Sequence, residues 1–261
     1  MSIELAPDKP LVLCLSGHDP GGGAGIHADI ESVAANGGHA LTIITALTVQ
    51  DTHNVSRVVA VAPMLIAQQL EALLTDCSIS AVKIGLIGDA EQVPVIASAV
   101  ARLRLPLVLD PVLQAGGGSP LSSARTVAAL REQLFPLATV LTPNAAEARR
   151  LAAGADTLAA CAQALLATGC ANVLITGGDE PGEAVVNTWH RADAAPQAFR
   201  WPRLPETFHG AGCTLAAALA ARLACGDSIA EALRLAQSYT YSALQCALRT
   251  GRGRRIPGRR R

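Results

Sequence analysis

Leu11-Val12-Leu13-Cys14-Leu15-Ser16-Gly17-His18-Asp19-Pro20-Gly21-Gly22-Gly23-Ala24-Gly25-Ile26 is the stretch on which the reading of the fold turns. Residues 11–15 are apolar without alternation, the pattern of a strand buried on both faces. The run breaks at Ser16 into a glycine-rich loop, and residues 26–35 then read as a helix. Strand, glycine-rich loop and helix in that order make a cradle for a nucleotide or a small substrate. The loop lacks the Gly-Lys-Ser/Thr of a P-loop, and Gly21, Gly23 and Gly25 do not fit the dinucleotide spacing. Asp29, just inside the helix, is either a favourable acid near a helix start or an acceptor for a polar ligand.

Outward from this stretch the pattern repeats. Strands are expected at 40–48, 81–86, 105–109, 138–141 and 172–175, with an antiparallel strand at 183–189. Helices are expected at 62–75, 91–102, 123–133, 157–167 and 229–248. Strands alternating with helices imply a mainly parallel sheet covered on both faces, an α/β fold. Ligands of such sheets bind beyond the carboxyl ends of the strands. There the chain carries Gln50, Asp110-Pro111, Thr142-Pro143-Asn144 with Glu147 one turn on, and Thr176-Gly177-Gly178. Each also has a plain structural reading: a solvated loop amide, a turn, a helix cap. Lys83, inside an apolar strand, needs a reason to be there.

Phe208-His209-Gly210-Ala211-Gly212-Cys213-Thr214 leads into an Ala/Leu run that reads as a helix. A helix start offers unpaired N–H groups and the positive end of the helix dipole, and glycines there admit an anion to the backbone. Cys213 lies in the first turn, where a thiol pKa is expected to fall.

Length and composition fit one domain. The chain has 261 residues, half of them hydrophobic, and a formal net charge of zero, which gives no general pull towards nucleic acid or an anionic membrane. Seven cysteines at irregular spacing, without C-x-x-C, indicate neither a disulfide framework nor a zinc site and suit the cytoplasm. No secretory leader and no membrane-spanning run is expected. Residues 1–251 are read as the folded domain. Residues 252–261, crowded with arginine, glycine and proline, are read as a basic, disordered tail.

Taken together, these motifs resemble the ribokinase-like superfamily of small-molecule kinases, and within it the hydroxymethylpyrimidine/phosphomethylpyrimidine kinases of thiamine biosynthesis. The resemblance runs in family order from about Leu11 to Gly226. It implies a three-layer αβα sandwich with a mainly parallel central sheet. It implies ATP- and Mg²⁺-dependent phosphorylation of 4-amino-5-hydroxymethyl-2-methylpyrimidine and then of its monophosphate, in a cytoplasmic homodimer without nucleic-acid or membrane partners. Carried over by position, Gly17, Asp29, Gln50 and Leu86 would surround the pyrimidine. Gly210, Ala211 and Gly212 would form an anion hole, and Cys213 would deprotonate or orient the hydroxyl. Asn144, Thr176, Gly178 and Lys83 would serve ATP and its phosphates, with a structural role the alternative for Lys83. Asp110 and Glu147 would hold Mg²⁺.

A fixed carboxylate in place of Cys213 would repel a substrate that already carries phosphate, so two successive phosphorylations favour a thiol. His209 is either a prop behind the anion hole or a phosphate contact. Three positions depart from the family: Thr176 where many relatives have Lys, Asp179 where they have His, and Ala211 where Thr or Ser is commoner. A pyridoxal-type kinase and a pyrimidine-binding sensor without catalysis are the competing readings. Thr176 and Asp179 are the features that would favour the sensor.

Overall fold

The computed structural model describes residues 8–259 of the protein. The strands are β1 (Leu11–His18), β2 (His39–Gln50), β3 (Val55–Ala60), β4 (Ile79–Ile84), β5 (Leu107–Leu109), β6 (Val140–Leu141), β7 (Asn172–Ile175), β8 (Ala184–Arg191) and β9 (Gln197–Pro202). The helices are α1 (Gly25–Ala35), α2 (Pro63–Asp76), α3 (Gln92–Leu103), α4 (Ala124–Ala129), α5 (Ala145–Leu151), α6 (Leu158–Leu166), α7 (Ala211–Ala224) and α8 (Ile229–Gln245). One sheet runs in the order β3-β2-β1-β4-β5-β6-β7-β8-β9. It is parallel from β2 through β7, with antiparallel strands added at both edges.

The apolar run that opens β1 explains the layering. Successive side chains of a strand point to opposite faces. Val12 and Cys14 enter a cluster with α1, α7 and α8, whereas Leu13 and Leu15 enter a second cluster with α2, α3, α5 and α6. A strand buried on both faces has no polar side to show. The α/β sheet expected from the sequence is therefore present, with helices on each face.

Three elements were not read from the sequence. Strand β3 buries only Val55 and leaves Ser56, Arg57, Val59 and Ala60 exposed, so it carries no buried run. Strand β9 is mostly exposed, with only Phe199 and Trp201 half-buried. Helix α5 spans only 7 residues and falls below the length at which periodicity speaks.

The expectation of a disordered tail does not hold over residues 252–259; Arg260 and Arg261 lie outside the described residues. The segment pairs with Phe208 through Arg255 and with Leu248 through Ile256. Arg259 is 2% exposed. Its guanidinium donates to Thr214 Oγ1 at 2.8 Å, to Gly22 O at 3.1 Å and to the carbonyl of Gly23, and lies 3.4 Å from Glu31. A charge is buried here because carbonyls and a carboxylate surround it.

Candidate active site

At the carboxyl ends of the parallel strands lies a cavity of about 260 Å³. Its arrangement follows the sheet order. Gly17 and His18 from β1, Gln50 from β2 and Leu86 after β4 line one end; Asn144, Glu147 and Thr176 after β6 and β7 line the other. Asp110 and residues 208–213 lie between them. A Cβ on Gly17 would come within 2.9 Å of Leu86 Cδ2, so these two residues face each other. The Gln50 side-chain amide donates to Thr48 Oγ1 at 2.5 Å, and Thr48 Oγ1 donates to His18 O at 2.8 Å, which fixes the edge of that end.

The start of α7 is built by Gly210. It has φ of +89°, a conformation that L side chains rarely adopt, and any Cβ there would collide with the carbonyl of Gly23. The turn therefore sits directly against the loop after β1. No side chain caps this end of α7, which leaves the first-turn N–H groups of a 14-residue helix available to an anion.

His209 Nε2 lies 2.9 Å from Asp19 Oδ2, and Asp19 also accepts from the N–H groups of Gly21 at 2.8 Å and Ala24 at 2.9 Å. Burial alone would raise the Asp19 pKa, but these bonds, His209 first, bring it below the usual value. Asp19 escaped the sequence reading. Its partner is 190 residues away, and the only local signal was an acid opening a glycine loop. His209 takes the role of a prop, joining the two loops.

Cys213 lies within hydrogen-bonding reach of Asp110 and of the Gly25 N–H. The expected depression of the thiol does not occur. Burial pushes Cys213 up to about 11, and the charges of Asp110 and Asp29 add to this; Lys83 and the Gly25 N–H oppose it without prevailing. Asp110 is raised by burial to about 6, aided by Asp29 and opposed by Lys83 and the Cys213 hydrogen bond.

Glu147 and Asn144 form a reciprocal cap on α5: Asn144 Oδ1 accepts from Glu147 N at 2.8 Å and Glu147 Oε2 from Asn144 N at 3.0 Å. Oε1 accepts from Leu113 N at 3.2 Å. Burial, then the charge of Asp110, raises Glu147 to about 8.

Three expected contacts lie elsewhere. Asp29 and Lys83 are both fully buried beneath the cavity, with Lys83 Nζ 2.8 Å from Asp29 Oδ1 and 2.8 Å from Ser16 Oγ. Neither lines the cavity. Each charge is there for the other, since an isolated ion in this layer would be far too costly. Burial alone would lower the Lys83 pKa, but Asp29, Cys213 and Asp110 hold it above its ordinary value. Gly178 also stands outside the lining, its carbonyl taken by Arg203 Nη1 at 2.9 Å. Asp179 accepts from the N–H groups of Ala145 at 3.3 Å and Ala146 at 2.9 Å, so its carboxylate sits on the start of α5.

Among the described residues no cluster of three or more His, Cys, Asp or Glu forms a metal cage. The site nevertheless fits Mg²⁺, which is commonly held by one or two carboxylates together with substrate phosphates and water. Asp110 and Glu147 are two buried acids whose ionisation is disfavoured by burial and, at Glu147, by the neighbouring acid, and a divalent cation relieves both penalties.

An uncapped helix start facing acids across a small-molecule cavity is a site for phosphoryl transfer. The sequence model of the family described as phosphomethylpyrimidine kinase matches residues 19–257. The hydroxymethylpyrimidine/phosphomethylpyrimidine kinase of Rhizobium meliloti (strain 1021) is 37% identical over 94% of this chain and 94% of its own. That of Synechococcus elongatus is 39% identical over 94% of this chain and 95% of its own. Among solved structures, the pyridoxal kinase of Bacillus subtilis in its ADP complex superposes with a TM-score of 0.87 at 29% identity, covering 96% of this chain and 97% of that one. The phosphomethylpyrimidine kinase of Clostridium difficile 630 gives 0.78 at 30% identity, covering 90% and 100%. The chain belongs to the phosphomethylpyrimidine kinase family, and its fold is ribokinase-like.

Proposed function

We propose that this chain transfers the γ-phosphoryl group of ATP to the hydroxymethyl group of 4-amino-5-hydroxymethyl-2-methylpyrimidine, and a second phosphoryl group to the resulting monophosphate, in thiamine biosynthesis. The observation that carries the reading is the uncapped start of α7, with Cys213 in its first turn against Asp110, inside the cavity. The pyrimidine occupies the end lined by Gly17, Gln50 and Leu86, where the Gln50 amide can donate and accept across a heterocycle. ATP approaches from the end lined by Asn144 and Thr176. The N–H groups of Ala211, Gly212 and Cys213 receive the oxygens of the transferring group as negative charge spreads over them. Mg²⁺, held by Asp110 and Glu147, would neutralise phosphate charge when bound.

Cys213 is a neutral thiol at neutral pH and orients the acceptor hydroxyl, whose proton passes to an oxygen of the transferring phosphoryl group as the oxygen–phosphorus bond forms. Phosphoryl transfer through a loose transition state rests on positioning and charge neutralisation, so a weak base suffices. A neutral thiol also spares the monophosphate the repulsion that a carboxylate would impose.

A homodimer is the proposed assembly. Leu47, Val49 and Val59 are half exposed together on β2 and its edge partner β3, a surface a second copy would cover. Sedimentation at a mass of one chain would refute it. Among the described residues no helix is long and apolar enough to cross a membrane, and dependence on ATP fits the cytoplasm.

The test is ADP release with product identification, using ATP-Mg²⁺ and three acceptors: the hydroxymethylpyrimidine, its monophosphate and pyridoxal. Turnover of the first two, lost in Cys213→Ala, is expected. Pyridoxal is included because the Bacillus subtilis pyridoxal kinase has the same fold; a preference for it would overturn the substrate assignment. Tight pyrimidine binding without ADP release would overturn the reaction and leave the sensor reading.

A further inference from the structure

Residues 251–256 form a strap across the acceptor end of the cavity. Gly253 N donates to Thr52 Oγ1 at 2.9 Å and Arg254 N to Thr52 O at 3.0 Å, which ties the strap to the turn between β2 and β3. Next to them, Arg255 pairs through its backbone with Thr207 and His209, immediately before the start of α7. Arg254 thus stands between the turn that ends the acceptor pocket and the turn that receives phosphate.

Its side chain reaches across the opening. Nη2 donates to His53 O at 2.7 Å, and a Cβ on Gly116 would collide with Nη1, so the guanidinium lies against the bare backbone of that glycine. The glycine leaves room for it. Two neighbouring arginines are engaged elsewhere: Arg255 with Glu206 at 3.1 Å, and Arg259 in its buried nest. Among the described residues that line the cavity, Arg254 is the only arginine or lysine. No carboxylate acts on it; burial alone moves its pKa, downward. The carboxylates in the lining are Asp19, Asp110 and Glu147.

We infer that Arg254 is the residue that admits the phosphorylated acceptor: its guanidinium pairs with the phosphate of the pyrimidine monophosphate and has no charged group to meet on the alcohol. The inference rests on the two-step reading above. The alcohol is uncharged and needs no cation. The monophosphate brings a dianion into a cavity with acidic walls, and Lys83 beneath the floor is already committed to Asp29. A planar guanidinium is suited to phosphate oxygens. Its contacts with Thr52, His53 and Gly116 put it at the acceptor end rather than beside Asn144 and Thr176.

The test is a kinetic comparison of Arg254→Met and Arg254→Lys with the parent chain, measuring kcat and KM for the alcohol, the monophosphate and ATP. Methionine keeps the length that packs on Gly116. In Arg254→Met the KM for the monophosphate should rise about tenfold to a hundredfold, the worth of one charge-assisted hydrogen bond. Values for the alcohol and ATP should stay within about threefold. Lysine should restore part of the loss. An equal loss on both acceptors, or a rise in KM for ATP, would overturn the inference. So would unchanged monophosphate kinetics. Gly116→Ala, which displaces the guanidinium without removing it, should repeat the selective loss and guards against misfolding of the strap. If the parent chain turns over neither pyrimidine, the functional reading itself has failed; if it turns over both and the variants match it, only the role of Arg254 has.

Discussion

Arg259→Met tests whether the last described residue anchors the active site. The guanidinium bonds four acceptors: Gly22 O and Gly23 O in the loop after β1, Thr214 Oγ1 in the first turn of α7 and, at 3.4 Å, the Glu31 carboxylate in α1. A hydrogen bond from a charged donor contributes about 1.5–3 kcal/mol. Truncation leaves buried acceptors, but water entering the vacated space recovers part of each, and such losses are not additive. The expected destabilisation is about 3–4 kcal/mol, near the cost of breaking a buried ionic network. Arg259→Lys keeps the charge and reaches fewer acceptors, so it should lose about 1–2 kcal/mol by the same reasoning. Equilibrium urea unfolding followed through Trp189 and Trp201 measures both. Turnover of Arg259→Met should fall as well, because the loop carrying Asp19 and the turn at Gly210 lose their common tie. A loss in Arg259→Met below about 1 kcal/mol, close to what ordinary surface substitutions give, would refute the reasoning and return residue 259 to a solvated tail.

Alkylation of Cys213 by iodoacetamide, read by peptide mass spectrometry, should be slow at pH 8, where a thiol titrating at about 11 is about one part in a thousand thiolate. The rate should climb about tenfold per pH unit towards pH 10, whereas a plateau by pH 8 would contradict the raised value. Lys83→Met leaves the fully buried Asp29 without its counter-charge and should cost about 3–5 kcal/mol in urea unfolding. Lys83→Met with Asp29→Asn should recover most of that, and no recovery would show that the ion pair is not the cause. Glu147 titrates at about 8 in the folded chain, above the usual carboxylate value of about 4.3. Between those values the native state holds a proton that the unfolded state has released, so stability without Mg²⁺ falls as pH rises through the window. On the proposed reading Mg²⁺ would take the place of that proton, and the stabilisation it gives in thermal melts should therefore grow from pH 6 to pH 8; a constant or shrinking increment would refute the assignment of Glu147.

What the sequence made legible, and what it hid, divides by distance along the chain. The apolar runs of β1, β4 and β7 announce a doubly covered sheet because each strand is buried on both faces and needs no partner to be recognised. The glycines at 210 and 212 point to the proposed anion site because the residues that would form it are consecutive. Cys213 is the instructive failure. Its local setting, the first turn of a helix, argues for a lowered pKa, yet burial decides the matter, with the acids Asp110 and Asp29, brought there by β5 and α1, adding to it. Asp29 and Lys83, 54 residues apart, each look like a ligand when read alone. Together they are a closed pair, and the sign of that was already present in a lysine placed inside an apolar strand.

The arginine-rich end carries the same argument furthest. By composition, arginine with glycine and proline reads as solvated chain, because such residues bury little apolar surface of their own. The carbonyls that receive Arg259 belong to Gly22 and Gly23, more than 230 residues earlier, and nothing in the local sequence refers to them. The loop after β1 brings the Gly23 carbonyl hard against Gly210, a contact that only a residue without a Cβ at this positive φ allows. That close approach concentrates backbone acceptors behind the start of α7, and a guanidinium with five donors is the side chain that can satisfy several at once. The basic end of the chain is thus placed by the same glycines that open the start of α7, and this is why Arg259 comes to rest behind that turn while Arg254, five residues earlier, lines the cavity in front of it.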